Sequence, residues 1–336
     1  MRIVSKIKTI MYCDKLYYLF LFFKKKGSKG IPFIVRLLSQ KRMKGKIKES
    51  LSGHVIPLYI ETPDKMGQSV HPDIIKDEKY GYIMSINPYP FGWDVFENPV
   101  FFRSSNLVDW KYLSGPIDYP TIGLKNHLSD STIVKAEKFF CYYRECIYSS
   151  NPPLSVIYAQ DSNDCIHWEN KSKLFSEPMS KIDIISPDID YNNNEFTIWA
   201  CIKKDDRMEI GYTNNPKLDI DSFVILEING IPESKILWHL SSIKYKDGTI
   251  LLLTLADDFG GSNSRLHIGY HKNGENAVSI IKAVDIINDV PTVDLEYRAT
   301  GIVEEECLKI IASVRYKDRT WGCVLIEEDG IENLVK

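Results

Sequence analysis

Three aspartates and a glutamate are the residues of this chain best suited to chemistry. Asp73 stands in His71-Pro72-Asp73-Ile74, Asp130 in His127-Leu128-Ser129-Asp130 and Asp188 in Ser186-Pro187-Asp188-Ile189, each at the start of an apolar run. Glu97 follows an aromatic turn, Tyr89-Pro90-Phe91-Gly92-Trp93. Carboxylates gathered in one pocket suit glycosyl chemistry. One stays ionised to activate water or attack the sugar. Another holds a proton for the leaving oxygen, and crowding of like charges raises its pKa. Aromatic rings beside them offer flat faces to sugar C–H groups. An Asp at a strand start also satisfies N–H groups of its own turn, so the constellation carries the functional reading rather than any single Asp.

Such residues need a fold that gathers them. A pattern of four short strands recurs five times, opening at His71, His127, Ser186, Trp238-His239-Leu240 and Glu296-Tyr297-Arg298. The runs are rich in Ile, Val, Tyr, Phe and Leu, as in Ile250-Leu251-Leu252-Leu253. Turn residues separate them, as in Lys246-Asp247-Gly248 and Lys272-Asn273-Gly274. No helical period persists after position 50. Repeats of about 40–60 residues with four antiparallel strands are propeller blades. A two-sheet sandwich is the rival, and the near-regular repeat favours the propeller. The expected fold is therefore all-β, a five-bladed propeller over 51–336, preceded by a basic, partly helical arm over 1–50. The last blade closes the ring with a fourth strand from either Ile331–Val335 or Val55–Ile60.

In a four-stranded blade, chain reversal puts the start of the inner strand and the loop between strands two and three on the same face. The strand starts would bring Asp73, Asp130, Asp188, His239 and Arg298 to one mouth of the channel. The loops would add Tyr89, Trp93 and Glu97, then Arg144-Glu145, Lys203 to Arg207, Asp257-Asp258, and Arg315, Lys317 and Arg319. The three aspartates are expected at equivalent places, with Asp73 at the mouth facing Asp130 and Asp188 across a pocket bordered by Tyr89 or Trp93. Expected catalytic residues are Asp73, Asp130, Asp188 and Glu97. Expected substrate contacts are His71, Tyr89, Trp93, His127, Arg144, His239 and Arg298. His239 reads equally as a core-edge histidine bonded to backbone.

Net charge is −3 over 336 residues, but it is divided unevenly. Residues 1–50 carry 14 Lys+Arg against 2 acids, and the remainder carries 28 against 43. In the arm, the apolar run Leu16 to Phe23 is too short to span a bilayer and lacks a small-residue cleavage site. Its basic clusters suit either an anionic membrane surface or packing on protein. No nucleic-acid module is present. Seven cysteines without paired spacing read as buried reduced thiols and place the protein in the cytoplasm, at the inner membrane face if the arm binds there. No cofactor and no metal ligand are expected. A channel Ca²⁺ is compatible with the carboxylates, although no loop has EF-hand spacing.

Residues 54–336 resemble the five-bladed propellers of glycoside hydrolase families 43, 32, 62 and 68. His71-Pro72-Asp73-Ile74 is similar to the first-blade motif in which the Asp is base or nucleophile. Glu97-Asn98-Pro99, Ser104-Ser105 and Asp109-Trp110 are similar to the segment that follows. The resemblance implies that Asp130 or Asp188 tunes the pKa of the acid. Where those families place a general-acid Glu in a later blade, the fourth blade here has Trp238-His239; Glu97, Glu145, Asp188 and His239 are the alternative proton donors. The expected function is a glycosidase or transglycosylase acting on a glycan or glycan intermediate, as in surface polysaccharide assembly. The alternative is a non-catalytic glycan-binding or assembly protein on the same fold.

Overall fold

The computed structural model describes residues 55–335 except 124 and 206; the basic arm over 1–50 lies outside the described residues. These residues form 20 strands arranged as five four-stranded antiparallel blades. Blade one comprises β2 (Ser69–Asp77), β3 (Gly81–Pro88), β4 (Val100–Ser104) and β5 (Lys111–Ser114). Blade two comprises β6 (His127–Lys135), β7 (Phe139–Ile147), β8 (Leu154–Ser162) and β9 (Glu169–Pro178). Blade three comprises β10 (Ile182–Asn192), β11 (Glu195–Lys204), β12 (Arg207–Thr213) and β13 (Val224–Asn229). Blade four comprises β14 (Ile236–Tyr245), β15 (Gly248–Ala256), β16 (Arg265–Lys272) and β17 (Ala277–Val284). β13 and β17 pair in parallel at their outer edge and join blades three and four into one eight-stranded sheet.

Blade five runs β18 (Val293–Glu304), β19 (Cys307–Tyr316) and β20 (Trp321–Asp329), and β1 (Val55–Leu58) supplies its outer strand. β1 pairs with β20 from Val55↔Ile326 to Leu58↔Cys323, so both ends of the described chain share a blade and the outer edge of β20 is covered. Of the two expected closures, the early strand is the one used. Gly330, at φ 69°, turns the chain out of the sheet, and Ile331–Leu334 forms a helical turn with Ile331 buried. The inner strands β2, β6, β10, β14 and β18 neighbour one another in a closed ring around the channel. Apolar side chains fill the spaces between blades; Ile250 and Leu252, for example, meet Ile310, Ala312 and Val324 in a core that also takes in Val55. Cys141, Cys146, Cys165, Cys201 and Cys323 are buried and unpaired, and burial pushes Cys141 and Cys201 well above the usual thiol range, which leaves them unreactive.

Four of the five inner strands share one local irregularity. In β2 the pairing jumps from Val70↔Asn87 to Asp73↔Ser85, in β6 from Ser129↔Arg144 to Thr132↔Tyr142, and in β10 from Ile185↔Cys201 to Asp188↔Trp199. Two residues thus stand opposite one, the arrangement of a β-bulge. The first bulged residue is His71, Asp130 and Ser186 respectively, and all three have left-handed φ angles of 55°, 52° and 50°. β18 jumps likewise across Tyr297 and Arg298. Asp130 is therefore equivalent to His71 and Ser186. The equivalent of Asp73 and Asp188 in blade two is Thr132, two residues later, which corrects the expected alignment.

That place has a structural duty. The Ile133 N–H donates to Asp73 Oδ2 at 2.6 Å, the Ile189 N–H to Thr132 Oγ1 at 3.4 Å and the Ser242 N–H to Asp188 Oδ2 at 2.7 Å. In blade five the matching place is Ala299, and Thr300, one residue on, accepts at Oγ1 from the Ile74 N–H at 3.1 Å. Each latch side chain satisfies a backbone donor on the next inner strand that a blade alone would leave orphaned.

Candidate functional site

A pocket of about 310 Å³ opens at the channel mouth. Starts of inner strands supply Val70, His71, Leu295 and Tyr297; loops between second and third strands supply Tyr89, Glu97, Gly260 to Asn263 and Arg319; and the strand ends beside the last loop supply Arg315 and Trp321. Blades one, four and five therefore converge on one face, as chain reversal requires. Trp321 stands edge-on to both Tyr89 (5.5 Å) and Tyr297 (5.4 Å), forming an aromatic corner. Gly261, at φ 74°, lets its loop lie close against Trp238 of β14, since a Cβ there would lie 3.1 Å from Trp238 Nε1.

Below the pocket floor the bulged residues meet. His71 Nδ1 lies 3.2 Å from Glu97 Oε2 and 3.7 Å from Asp130 Oδ1. His239 Nδ1 lies 3.6 Å from the same Asp130 oxygen and contacts Ser186 Oγ. His239 Nε2 bonds to Tyr297 Oη at 2.8 Å, and Trp238 Nε1 donates to that oxygen at 3.3 Å. Arg144 NH1 donates to Asp130 Oδ2 at 3.1 Å, while its NH2 donates to Asp183 Oδ2 at 2.5 Å. Asn87 Nδ2 donates to Glu97 Oε2 at 3.0 Å and fixes that carboxylate.

Burial opposes the charge on Asp130, but the basic groups around it, His71, Arg144 and Arg298, outweigh burial and hold its carboxyl well below the usual range. Burial drives His239 well below an ordinary histidine despite the attraction of Asp130, so its ring is neutral. Burial likewise raises the Tyr297 phenol, which stays protonated.

The other two aspartates sit deeper. Asp73 and Asp188 are nearly fully buried, and neither lines the mouth pocket. Asp73 also accepts from Thr300 Oγ1 (3.2 Å) and Asp188 from Ser242 Oγ (2.6 Å). Burial raises both, Asp188 to about 7 with repulsion from Asp73 adding to it. Arg298 lies between the aspartates, fully buried, with NH1 3.6 Å from Asp130 and NH2 3.9 Å from Asp188. The expected view of Asp73 at the mouth, facing two equivalents across an open pocket, is thus replaced by an acidic ring around one buried guanidinium.

Of the remaining expected contacts, Tyr89 lines the pocket, while Trp93 is not among the lining residues and packs edge-on against Phe96 at 6.0 Å. His127 is buried with Nδ1 2.9 Å from Lys125 O and its ring against Tyr148. Ser186, Tyr297, Trp321 and Asn87 were not singled out as site residues by sequence reasoning. Tyr297 could have been found from its place directly before Arg298 at a strand start.

His71, Asp130 and His239 can each present one donor atom such that the three lie within 4.8 Å of one another. His71 Nε2 is buried without a hydrogen-bond partner. Two imidazoles and a carboxylate fit a zinc- or manganese-type cation better than Ca²⁺, which prefers all-oxygen ligands. The His239–Tyr297 bond would orient that ring, as outer partners of metal-bound histidines do.

No family model and no curated protein matches the sequence. Solved structures do. An N-acetylgalactosamine deacetylase from F. plautii, in complex with blood group B trisaccharide, superposes with a TM-score of 0.67 at 17% identity, over 84% of this chain and 96% of that one. The Cellvibrio cellulosa α-L-arabinanase complexed with arabinohexaose superposes with a TM-score of 0.52 at 10% identity, over 77% and 91%. A Bombyx mori GH32 β-fructofuranosidase gives 0.56 at 14%, over 78% and 60%. At these identities the likeness is one of fold. The chain has the β-propeller fold shared by the glycosidases of families 43 and 32 and by this deacetylase.

Proposed function

We propose that this protein is a carbohydrate-active hydrolase working at the mouth pocket, and that it removes an acyl substituent from a sugar with the help of a divalent cation held by His71, Asp130 and His239. The observation that carries this reading is the convergence of those three residues beneath a pocket where Glu97 is the lining carboxylate and aromatic rings form the wall. When bound, the cation would polarise the acyl carbonyl and acidify a water molecule. Glu97, held by Asn87 and His71, takes the proton of the attacking water and passes it to the sugar nitrogen or oxygen as its bond to the acyl carbon breaks. Tyr297 accepts hydrogen bonds from Trp238 and from the Nε2–H tautomer of His239, so its own O–H is free to donate to the developing oxyanion. Tyr89 and Trp321 present faces and edges to the sugar ring. The deacetylase neighbour acts on N-acetylgalactosamine, which supports an N-acylated amino sugar as substrate.

A second reading, cleavage or transfer at a glycosidic bond, is favoured by Asp188, a carboxyl that still holds its proton near neutral pH. A role in surface polysaccharide assembly at the cytoplasmic membrane face goes with either reading and is supported by the basic arm. Incubation with N-acetylated oligosaccharides and Zn²⁺, followed by measurement of free acetate and of new reducing ends, separates them. Acetate release supports the first reading and new reducing ends the second. Neither product, with glycan bound, leaves the non-catalytic glycan-binding protein.

A further inference from the structure

The wall of the mouth pocket formed by blade five is basic. Arg315, near the end of β19, and Arg319, in the loop between β19 and β20, both line it. Arg315 is committed, its Nε donating to Asp294 Oδ1 at 2.8 Å. Arg319 is different. It is exposed, and its guanidinium makes no ion pair or hydrogen bond with any described residue. Its backbone has φ 67°, a left-handed conformation uncommon for a residue with a Cβ. The turn is fixed by the Arg319 N–H bond to Tyr316 O at 2.7 Å, which holds the side chain at the pocket rim beside Trp321. Across the pocket, Gly260 to Asn263 add no charge, and the acid lining the pocket, Glu97, is buried and already partnered by Asn87 and His71. A guanidinium is a planar fork matched to carboxylate and phosphate.

We infer that Arg319 is a specificity-determining residue and that the glycan recognised in this pocket carries an anionic group, a carboxylate or a phosphate, next to the sugar that stacks on the Tyr89–Trp321–Tyr297 corner. This rests on the mouth pocket being the glycan site. The anion answers Arg319, the uncommitted cation of the blade-five wall among the described residues, and the aromatic corner holds the ring that bears it.

Calorimetry on the full-length protein tests this with four probes: trigalacturonate, its methyl ester, N-acetylglucosamine 6-phosphate and N-acetylglucosamine. At low salt the wild type should bind at least one anionic probe about tenfold tighter than its neutral partner, as a charge-assisted bidentate contact provides. Trigalacturonate preferred over its ester identifies the carboxylate, and the sugar phosphate preferred over the free sugar identifies the phosphate. Arg319→Gln should bring the preference to within about twofold, and the wild-type preference should shrink with added salt. Equal binding of anionic and neutral probes, or a preference unchanged in Arg319→Gln, overturns the inference and leaves the glycan site standing. Binding of none of the four overturns both. Arg319 is exposed, so an unchanged melting temperature in Arg319→Gln shows that the fold is intact.

Discussion

His71 and Asp130 occupy the same left-handed bulge position in neighbouring blades, and this brings Nδ1 of one to 3.7 Å from Oδ1 of the other. The bulge turns a side chain that would otherwise join the latch around the ring toward the channel mouth. Ser186 repeats the geometry in blade three, and Tyr297 takes the matching place in blade five. The site is thus built by one backbone device used several times with different side chains.

The latch position, two residues along, makes a separate prediction. Thr132→Val keeps the shape but removes the acceptor for the Ile189 N–H. The loss should cost about 1–3 kcal/mol, the penalty for a buried donor left unsatisfied, with turnover unaffected. Urea denaturation and an activity assay on the same preparation check it. A stability equal to wild type would show that the latch bond is not formed.

How much of this could be read from residues alone follows from the same bulge. The blades were legible because runs such as Ile250-Leu251-Leu252-Leu253 and turns such as Asp247-Gly248 are local signals. The convergence of strand starts and loops followed from chain reversal. The register inside blade two was not legible: Ser129-Asp130 matches the pattern of Pro72-Asp73 by residue type, and only the pairing Thr132↔Tyr142 shows that Thr132 holds the latch place. The donor set His71, Asp130 and His239 comes from three blades, so no sequence spacing could reveal it. Tyr297 and Trp321 look like ordinary strand aromatics until the pocket is seen.

Glu296 gives a pH prediction. It is fully buried at the junction of blades four and five, accepting from Leu266 N–H (2.8 Å) and Ile287 N–H (3.2 Å). Burial outweighs those bonds and raises its carboxyl from 4.5 to about 7. The folded state therefore binds this proton more tightly than the unfolded chain. Its contribution is fully present below pH 4.5 and is lost as pH rises through 7. The change is on the order of 3 kcal/mol. Urea midpoints of wild type and Glu296→Gln, compared between pH 4.5 and 8, should show the wild type losing stability relative to the variant as pH rises. Parallel curves would contradict it.

The basic arm is testable apart from the propeller. Full-length protein should sediment with vesicles containing anionic lipid at low salt and detach as salt rises, because screening weakens each lysine contact. Protein lacking residues 1–50 should stay in solution with its melting temperature unchanged. Equal recovery of both forms in the supernatant would rule out a membrane role for the arm.

The most direct test of the account is the turnover of Glu97→Gln on whichever glycan the wild type hydrolyses. Gln preserves the shape and the contact with Asn87 but cannot take a proton. The expected fall in kcat is about 10²–10⁴-fold, the range for loss of a positioned general base, while oligosaccharide affinity and melting temperature stay near wild type. Turnover retained within a fewfold in a folded Glu97→Gln protein would contradict it.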